Sequence, residues 1–524
     1  MINIKVLDCT LRDGGYINNW IFGNNTIKNI IKNLVDANVD IIETGFLRPV
    51  EHDDNSSVFS SVEQIKDFIF PKKNGALYAA MIENRNYPSL SLPKYDGTSV
   101  DIIRITFRRL EWDDAKKNII DIISKGYKVC VQPVGSASYD DQSLLNLIKD
   151  VNNLKPYAFY IVDTLGVMYR NDIRKFFYLI DNNLSKDIYI GYHSHNNLQM
   201  AFANAQEISR LSNGRTIIVD SSCYGMGRGV GNLATELIVD YINTNISQKY
   251  SIIPILNIVD KYLLPFYAEQ RWGYDLPYFL SATVKCHPNY AAYLMKKETL
   301  SVEKIEKILS LIPFEFRNEF DLKVIENLYL QIQKFDCNDD NSYLNLSKLV
   351  SNRIVLILGS GSSIIRFAET IKSKCSGAIV ISTNFIPNNF DVDALFISNQ
   401  KRLDSIVANG DVRIIATSNL KDELPNALMF NYSSLLGEGD ASDNAGAMLI
   451  RILKKSGVNK ILIAGFDGFD ADSSVNFAVP NFKKIMDFDT AQKKNEDISK
   501  QLKLALNGVD YEFITPTKYE IDSV

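Results

Sequence analysis

The sequence predicts an α/β protein: an N-terminal (β/α)₈ barrel with a helical extension, followed by a C-terminal Rossmann-like α/β domain. Three observations carry this. The chain has 524 residues, more than one hydrophobic core ordinarily serves. Up to about residue 245, short apolar runs alternate with amphipathic helices eight times. Near residue 354 a strand, a Gly/Ser turn and a helix open a second series of the same kind.

The eight apolar runs are IKVLD near residue 4, VDIIETGF near 39, ALYAAMI near 76, DIIRITF near 101, YKVCVQPV near 127, AFYIVDTLG near 158, IYIGYHSH near 188 and TIIVDSS near 216. Their richness in Ile and Val fits parallel strands buried on both faces. Eight β-α units in this length match a closed barrel, although an open doubly wound sheet shares the alternation. Polar residues gather at the C-terminal ends of the runs: Asp8 to Asp13, Glu43, Arg104, Gln132, Asp163, His193, His195 and Ser221. Barrel active sites lie at that face, because every strand delivers its last residues there. The barrel is assigned to 1–248. Residues 249–348 read as helices, including SVEKIEKILSLI and DLKVIENLYLQIQKF, closed by the polar, turn-like linker CNDDNSYLNLSK. Residues 349–524 form the second domain, with strands RIVLIL, GAIVIST, DALFISN, VRIIATS and NKILIAGFDGF.

A formal net charge of −5 with no basic stretch argues against a nucleic-acid partner. No apolar run approaches the roughly 20 residues that span a bilayer, and the first residues lack a signal-peptide layout. Six cysteines without C-x-x-C pairing fit a reduced, cytoplasmic setting.

Three segments carry chemistry. In GYHSHNN, His193 and His195 stand two apart on a strand, so both imidazoles lean to one face and can share a metal. Hydrogen-bonded barrel histidines are the alternative. In LDCTLRDGG, Asp13 offers a carboxylate ligand and Arg12 a guanidinium for developing negative charge. Read alone, Arg-Asp-Gly is equally a surface turn with its own ion pair. In DSSCYGMGRGVGN, four glycines allow close backbone approach to a ligand, and Asn232 is either the cap of the next helix or a further oxygen ligand. In a closed barrel the first, seventh and eighth strands are neighbours, so the three segments converge.

TLRDGGY, IIETGF, VDTLG, GYHSHNNLQMAFANA and DSSCYGMGRGVGNLATE together resemble the DRE-TIM (HMGL-like) metallolyase superfamily, over residues 1 to about 245. The resemblance implies a divalent cation, manganese or magnesium, held by Asp13, His193 and His195 with support from Asn232, and Arg12 on the enolate. HSHNNLQMAFANA is similar to the 4-hydroxy-2-oxovalerate aldolase branch. The glycine loop departs from the hydroxymethylglutaryl-CoA lyases, with Val230 where those keep a cysteine. The aldolases carry a histidine base three residues after the ligand aspartate, and here that place is Tyr16. Candidate proton-transfer groups are therefore Tyr16, His287 and Tyr290 in KCHPNYAAYL, and His52. His287 is equally read as a surface residue.

The expected function is a metal-dependent carbon–carbon lyase joining or cleaving a 2-oxo acid and an aldehyde, with Glu43, Arg104, Gln132 and Asp163 orienting the substrate. A Claisen-type transfer from acyl-CoA is the alternative on the same barrel. A non-haem iron oxygenase would also use two histidines and a carboxylate, but the α/β alternation disfavours it. The expected assembly is a homo-oligomer. In the C-terminal domain, Gly359, Ser360 and Gly361 lie where a strand meets a helix, a placement that suits a phosphate. Residues 444–469 resemble sialyltransferase-like and Maf-type domains, which implies a nucleotide or nucleotide-sugar and a role in surface-glycan precursor synthesis.

Overall fold

Strands whose side chains meet apolar neighbours on both faces dominate both halves of the chain. The computed structural model describes residues 3–521 apart from 70, 73–74, 213, 334–335, 404–405, 407–411, 440, 472–475 and 478–485. Two units are resolved, Met1–Ala292 with Pro313–Phe320, and Tyr293–Ile312 with Asp321–Val524.

The N-terminal unit is a closed barrel of eight parallel strands: β1 (Asn3–Asp8), β2 (Ile41–Leu47), β3 (Leu77–Glu83), β4 (Ile102–Phe107), β5 (Lys128–Pro133), β6 (Ala158–Asp163), β7 (Tyr189–Ser194) and β8 (Thr216–Ser221). Each follows one of the eight predicted runs. β1 pairs with β8 along its whole length and with β2 at Leu7 and Asp8, which closes the ring. A two-residue strand, Val58–Phe59, adds to β2.

Alternation along the strands sorts the interior into layers. Leu7, Ile41, Ala79, Ile102, Cys130, Ala158 and Ile218 pack as one apolar cluster within the barrel. Two residues further along their strands stand Glu43, Arg104, Gln132, Tyr160 and Asp220, all buried. The intervening residues, such as Ile42, Ile103, Val131 and Ile217, join the core beneath the surrounding helices.

In the C-terminal unit, seven parallel strands are β9 (Ile354–Leu358), β10 (Ile379–Thr383), β11 (Ala394–Ile397), β12 (Arg413–Thr417), β13 (Leu428–Phe430), β14 (Lys460–Ala464) and β15 (Asp510–Phe513). Their order is β13-β12-β11-β10-β9-β14-β15, so the connection reverses between β9 and β14. The run IVLIL is apolar throughout because Val355 and Ile357 serve one core, and Leu356 and Leu358 the other. Two short strands, β13 and β15, were not among those expected.

One expectation is corrected. The polar segment 337–348 is not a turn-like linker, because Asp340–Val350 is a helix. Tyr343, Leu346 and Val350 fall on one helical face, and that face is buried in the core of the second unit. Scattered polar residues hid the stripe. Among the described residues, no helix is long and apolar enough to cross a membrane.

Candidate metal centre

Asp13, His193 and His195 meet at the C-terminal face of the barrel, with one potential ligand atom from each lying within 4.8 Å of the others. Donors about 2.1 Å from a shared ion lie roughly 3–4 Å apart, so modest tightening fits one cation. The donor chemistry fits as well. Burial drives the His195 pKa down to about 3, which keeps a lone pair available. Burial pushes the Asp13 carboxyl up, but Arg12 and the two histidines outweigh it and hold the group well below the usual carboxylate range. Asn232 Nδ2 donates to Asp13 Oδ2 at 2.6 Å, while its Oδ1 is buried without a partner.

A line of alternating charges supports the cluster from beneath. Arg12 pairs with Asp13 at 2.6 Å and with Glu43 at 2.9 Å. Arg104 pairs with the same Glu43 oxygen at 2.7 Å and with Asp220. Asp220 Oδ2 in turn meets His193 Nδ1 at 3.1 Å. That contact fixes the ring so that Nε2 is the nitrogen left for a metal, the usual carboxylate–histidine arrangement. Three buried carboxylates against two guanidiniums leave one uncompensated negative charge. A divalent cation held there would supply positive charge, where burying net charge is otherwise costly.

Residues 106–258 match the family model described as HMGL-like. The N-terminal unit belongs to this family, within the DRE-TIM metallolyase superfamily. It is similar to oxaloacetate decarboxylase from Mycobacterium tuberculosis, 26% identical over 243 residues, covering 45% of this chain and 68% of that protein. It is also similar to 4-hydroxy-2-oxovalerate aldolase from Geobacillus genomosp. 3, 24% identical over 245 residues, covering 45% and 69%. Among solved structures, the N-terminal domain of an aldolase candidate from Bacteroides vulgatus matches with a TM-score of 0.50 at 24% identity, over 58% of this chain and 99% of that one. That match shows the fold.

Other expected residues of the HMGL-like barrel divide by where they point. Arg12 keeps Nη2 buried and unpartnered beside the ligands, and Glu43 keeps Oε1 so. Arg104 is fully buried, and its guanidinium meets Glu43, Asp220 and the Tyr160 ring. With its amide oxygen turned inward, Gln132 accepts from Arg104 Nε at 2.6 Å. These two hold the layer below the ligands rather than face the mouth. Asp163 spends both oxygens on its own loop, accepting from Val167 N at 2.9 Å and Met168 N at 3.0 Å. Tyr290 donates to the carbonyls of Phe316 and Glu319. His52 is engaged with Asp54 and the Val58 carbonyl. Asn232 is not a helix cap, because the following helix is Thr235–Asn245 with Ala234 in the cap position.

Tyr16 packs at the mouth against Trp20, with ring centroids 4.7 Å apart. Burial and the nearby Asp13 charge raise its pKa, so the phenol is protonated at neutral pH. His287 accepts from Asn289 N at Nδ1, which leaves Nε2–H as the donor of the neutral ring. Burial, then Arg228 and Arg108, lower its pKa to about 4. Sequence reasoning missed Asp220 as the partner of His193. The signal was there: Asp220 stands two residues after inward-facing Ile218, level with Arg104.

In the C-terminal unit, a Cβ on Gly361 would lie 2.5 Å from the Asp467 carboxyl carbon. Asp467 accepts from Ser363 N at 2.8 Å and from Ser363 Oγ. The donors after the Gly359–Gly361 turn thus already hold an anion, the protein's own. The helix they open is only Ser363–Arg366.

Proposed function

We propose that the barrel is a divalent-metal-dependent aldolase, using manganese or magnesium, that forms or cleaves a 4-hydroxy-2-oxo acid through the enolate of a pyruvate-like 2-oxo acid. The observation that carries this reading is the buried, unpartnered Arg12 Nη2 beside the Asp13, His193 and His195 donors. When bound there, a divalent cation supplies Lewis acidity toward the keto oxygen of the 2-oxo acid. Arg12 donates to the same oxygen as it gains charge, and its own charge is fixed in place by Asp13 and Glu43. Tyr16, protonated, gives its proton to the aldehyde oxygen in the addition direction. His287 offers Nε2–H as a second donor at the mouth. Similarity to proteins named oxaloacetate decarboxylase and 4-hydroxy-2-oxovalerate aldolase supports the reading. Both reactions develop carbanion character on the carbon next to a 2-oxo group.

The test is exchange of pyruvate methyl protons in D₂O followed by NMR. Exchange that requires Mn²⁺ or Mg²⁺, stops with EDTA and returns with metal supports the enolate; exchange unaffected by EDTA would sink the metal-dependent reading. Release of free thiol from an acyl-CoA in the presence of a 2-oxo acid would instead favour the Claisen alternative.

A further inference from the structure

We infer that Arg228 selects the second substrate, and that this substrate is an aldehyde carrying an anionic group, carboxylate or phosphate, away from its carbonyl. The inference rests on the aldol reading and names the substrate class of the same site. The loop after β8 lies directly on the ligands. A Cβ on Gly227 would come within 2.5 Å of Asn232 Nδ2 and 3.3 Å of Asp13 Oδ2. The next residue, Arg228, is half-buried, with its guanidinium carbon 5.4 Å from the centre of the Tyr16 ring.

Among the described residues, no carboxylate pairs with Arg228. Three other arginines that follow barrel strands do have partners: Arg12 has Asp13 and Glu43, Arg108 has Glu319 at 3.0 Å, and Arg48 has Glu83 at 3.5 Å. A half-buried guanidinium has lost part of its hydration, and its planar fork of donors matches a carboxylate or phosphate. Tyr16, whose ring the guanidinium faces, and His287, whose pKa the Arg228 charge lowers, bring hydrogen-bond donors and no negative charge. A neutral aldehyde closing this space would leave the cation unpaired, whereas an anionic one pairs it and turns its carbonyl toward Tyr16. The reaction balances without a co-reactant. C3 of the 2-oxo acid releases a proton to water and its electron pair bonds to the aldehyde carbon; the aldehyde C=O π pair moves onto oxygen, which takes the Tyr16 proton as the new hydroxyl, and the phenolate regains a proton from water.

The experiment compares matched aldehydes with pyruvate, Mn²⁺ and the full chain: succinic semialdehyde against butanal, and glyceraldehyde 3-phosphate against glyceraldehyde. We expect at least one anionic member to exceed its neutral counterpart by about tenfold or more in kcat/KM, the scale of one charge-assisted hydrogen bond. The preferred arm identifies the anion. In R228Q that ratio should fall by about tenfold, with partial recovery in R228K. Equal or reversed preference in the parent protein, or an unchanged ratio in R228Q, overturns the inference. A separate titration of the metal-free protein with inorganic phosphate and with acetate needs no turnover. Weakening of the tighter anion by about tenfold in R228Q supports the inference, and equal binding by both proteins overturns it. Absence of pyruvate proton exchange in the parent protein would condemn the aldol reading itself, which keeps the two failures distinct.

Discussion

The mouth of the barrel and the reversal point of the C-terminal sheet are the same kind of place, since each is where parallel strands deliver their carboxyl ends. They are furnished in opposite ways. At the barrel mouth, among the described residues, Arg12 Nη2 and Asn232 Oδ1 are buried without partners, and no carboxylate pairs with Arg228. At the junction of β9 and β14, Asp467 occupies the donors of Ser363. Strand topology says where a ligand can be held. Whether one is expected depends on whether the protein has already satisfied its own polar groups.

The sharpest way to break this contrast is at the ligands. Asp13→Ala and His193→Ala should each lower metal-dependent turnover by about a thousandfold or more, with circular dichroism unchanged; activity near that of the parent protein would remove the metal centre from the chemistry. Asp220→Asn tests the support beneath. We expect metal affinity, read from a Mn²⁺ binding isotherm, to fall by about 10–100-fold as His193 loses its partner. Unfolding experiments should show lower stability too, because Arg104 loses a charge-assisted hydrogen-bond partner.

A smaller effect concerns pH. The folded protein holds His287 neutral down to about 4, whereas the unfolded chain takes up that proton near 6.5. Between these values the unfolded state binds more protons, so stability falls with acidification, by up to about 1.4 kcal/mol per pH unit from this group. His287→Gln should flatten that slope in denaturant titrations run from pH 6.5 to 4, and an unchanged slope would refute the assignment. Smallest is Asp467→Ala, expected to lower the stability of the C-terminal unit by about 1 kcal/mol, as for loss of a helix cap. With Asp467 present we expect no thermal shift from CMP, UDP or GDP at the Ser363 turn. A shift appearing only in the variant would show that the carboxylate was the obstacle.

All eight barrel strands were legible because burial on both faces writes them as apolar runs, while β13 and β15 are short and only partly buried. Convergence of Asp13, His193 and His195 followed from barrel closure alone. Depth did not. A period of two tells which face of a strand a residue occupies, but not whether it reaches the mouth. Glu43 and Arg104 therefore looked equivalent, and both are fully enclosed; they differ in that Glu43 keeps Oε1 unpartnered, whereas Arg104 spends its guanidinium on Glu43, Asp220 and the Tyr160 ring. Loop residues were harder still. Asp163 and Tyr290 turn to nearby backbone groups, and such bonds leave no periodic trace in sequence.

The pairing of β1 with β8 has a kinetic corollary. Asn3 and Thr216 are 213 positions apart, yet their side chains share a hydrogen bond. Asp13 follows one side of that seam, and both histidines arrive at the end of the strand beyond the other. No metal site exists until the ring has shut, and contacts so distant in the chain form slowly. Uptake of Mn²⁺ during refolding would therefore time the closing of the barrel, and a captured ion would act as a clasp that slows its reopening.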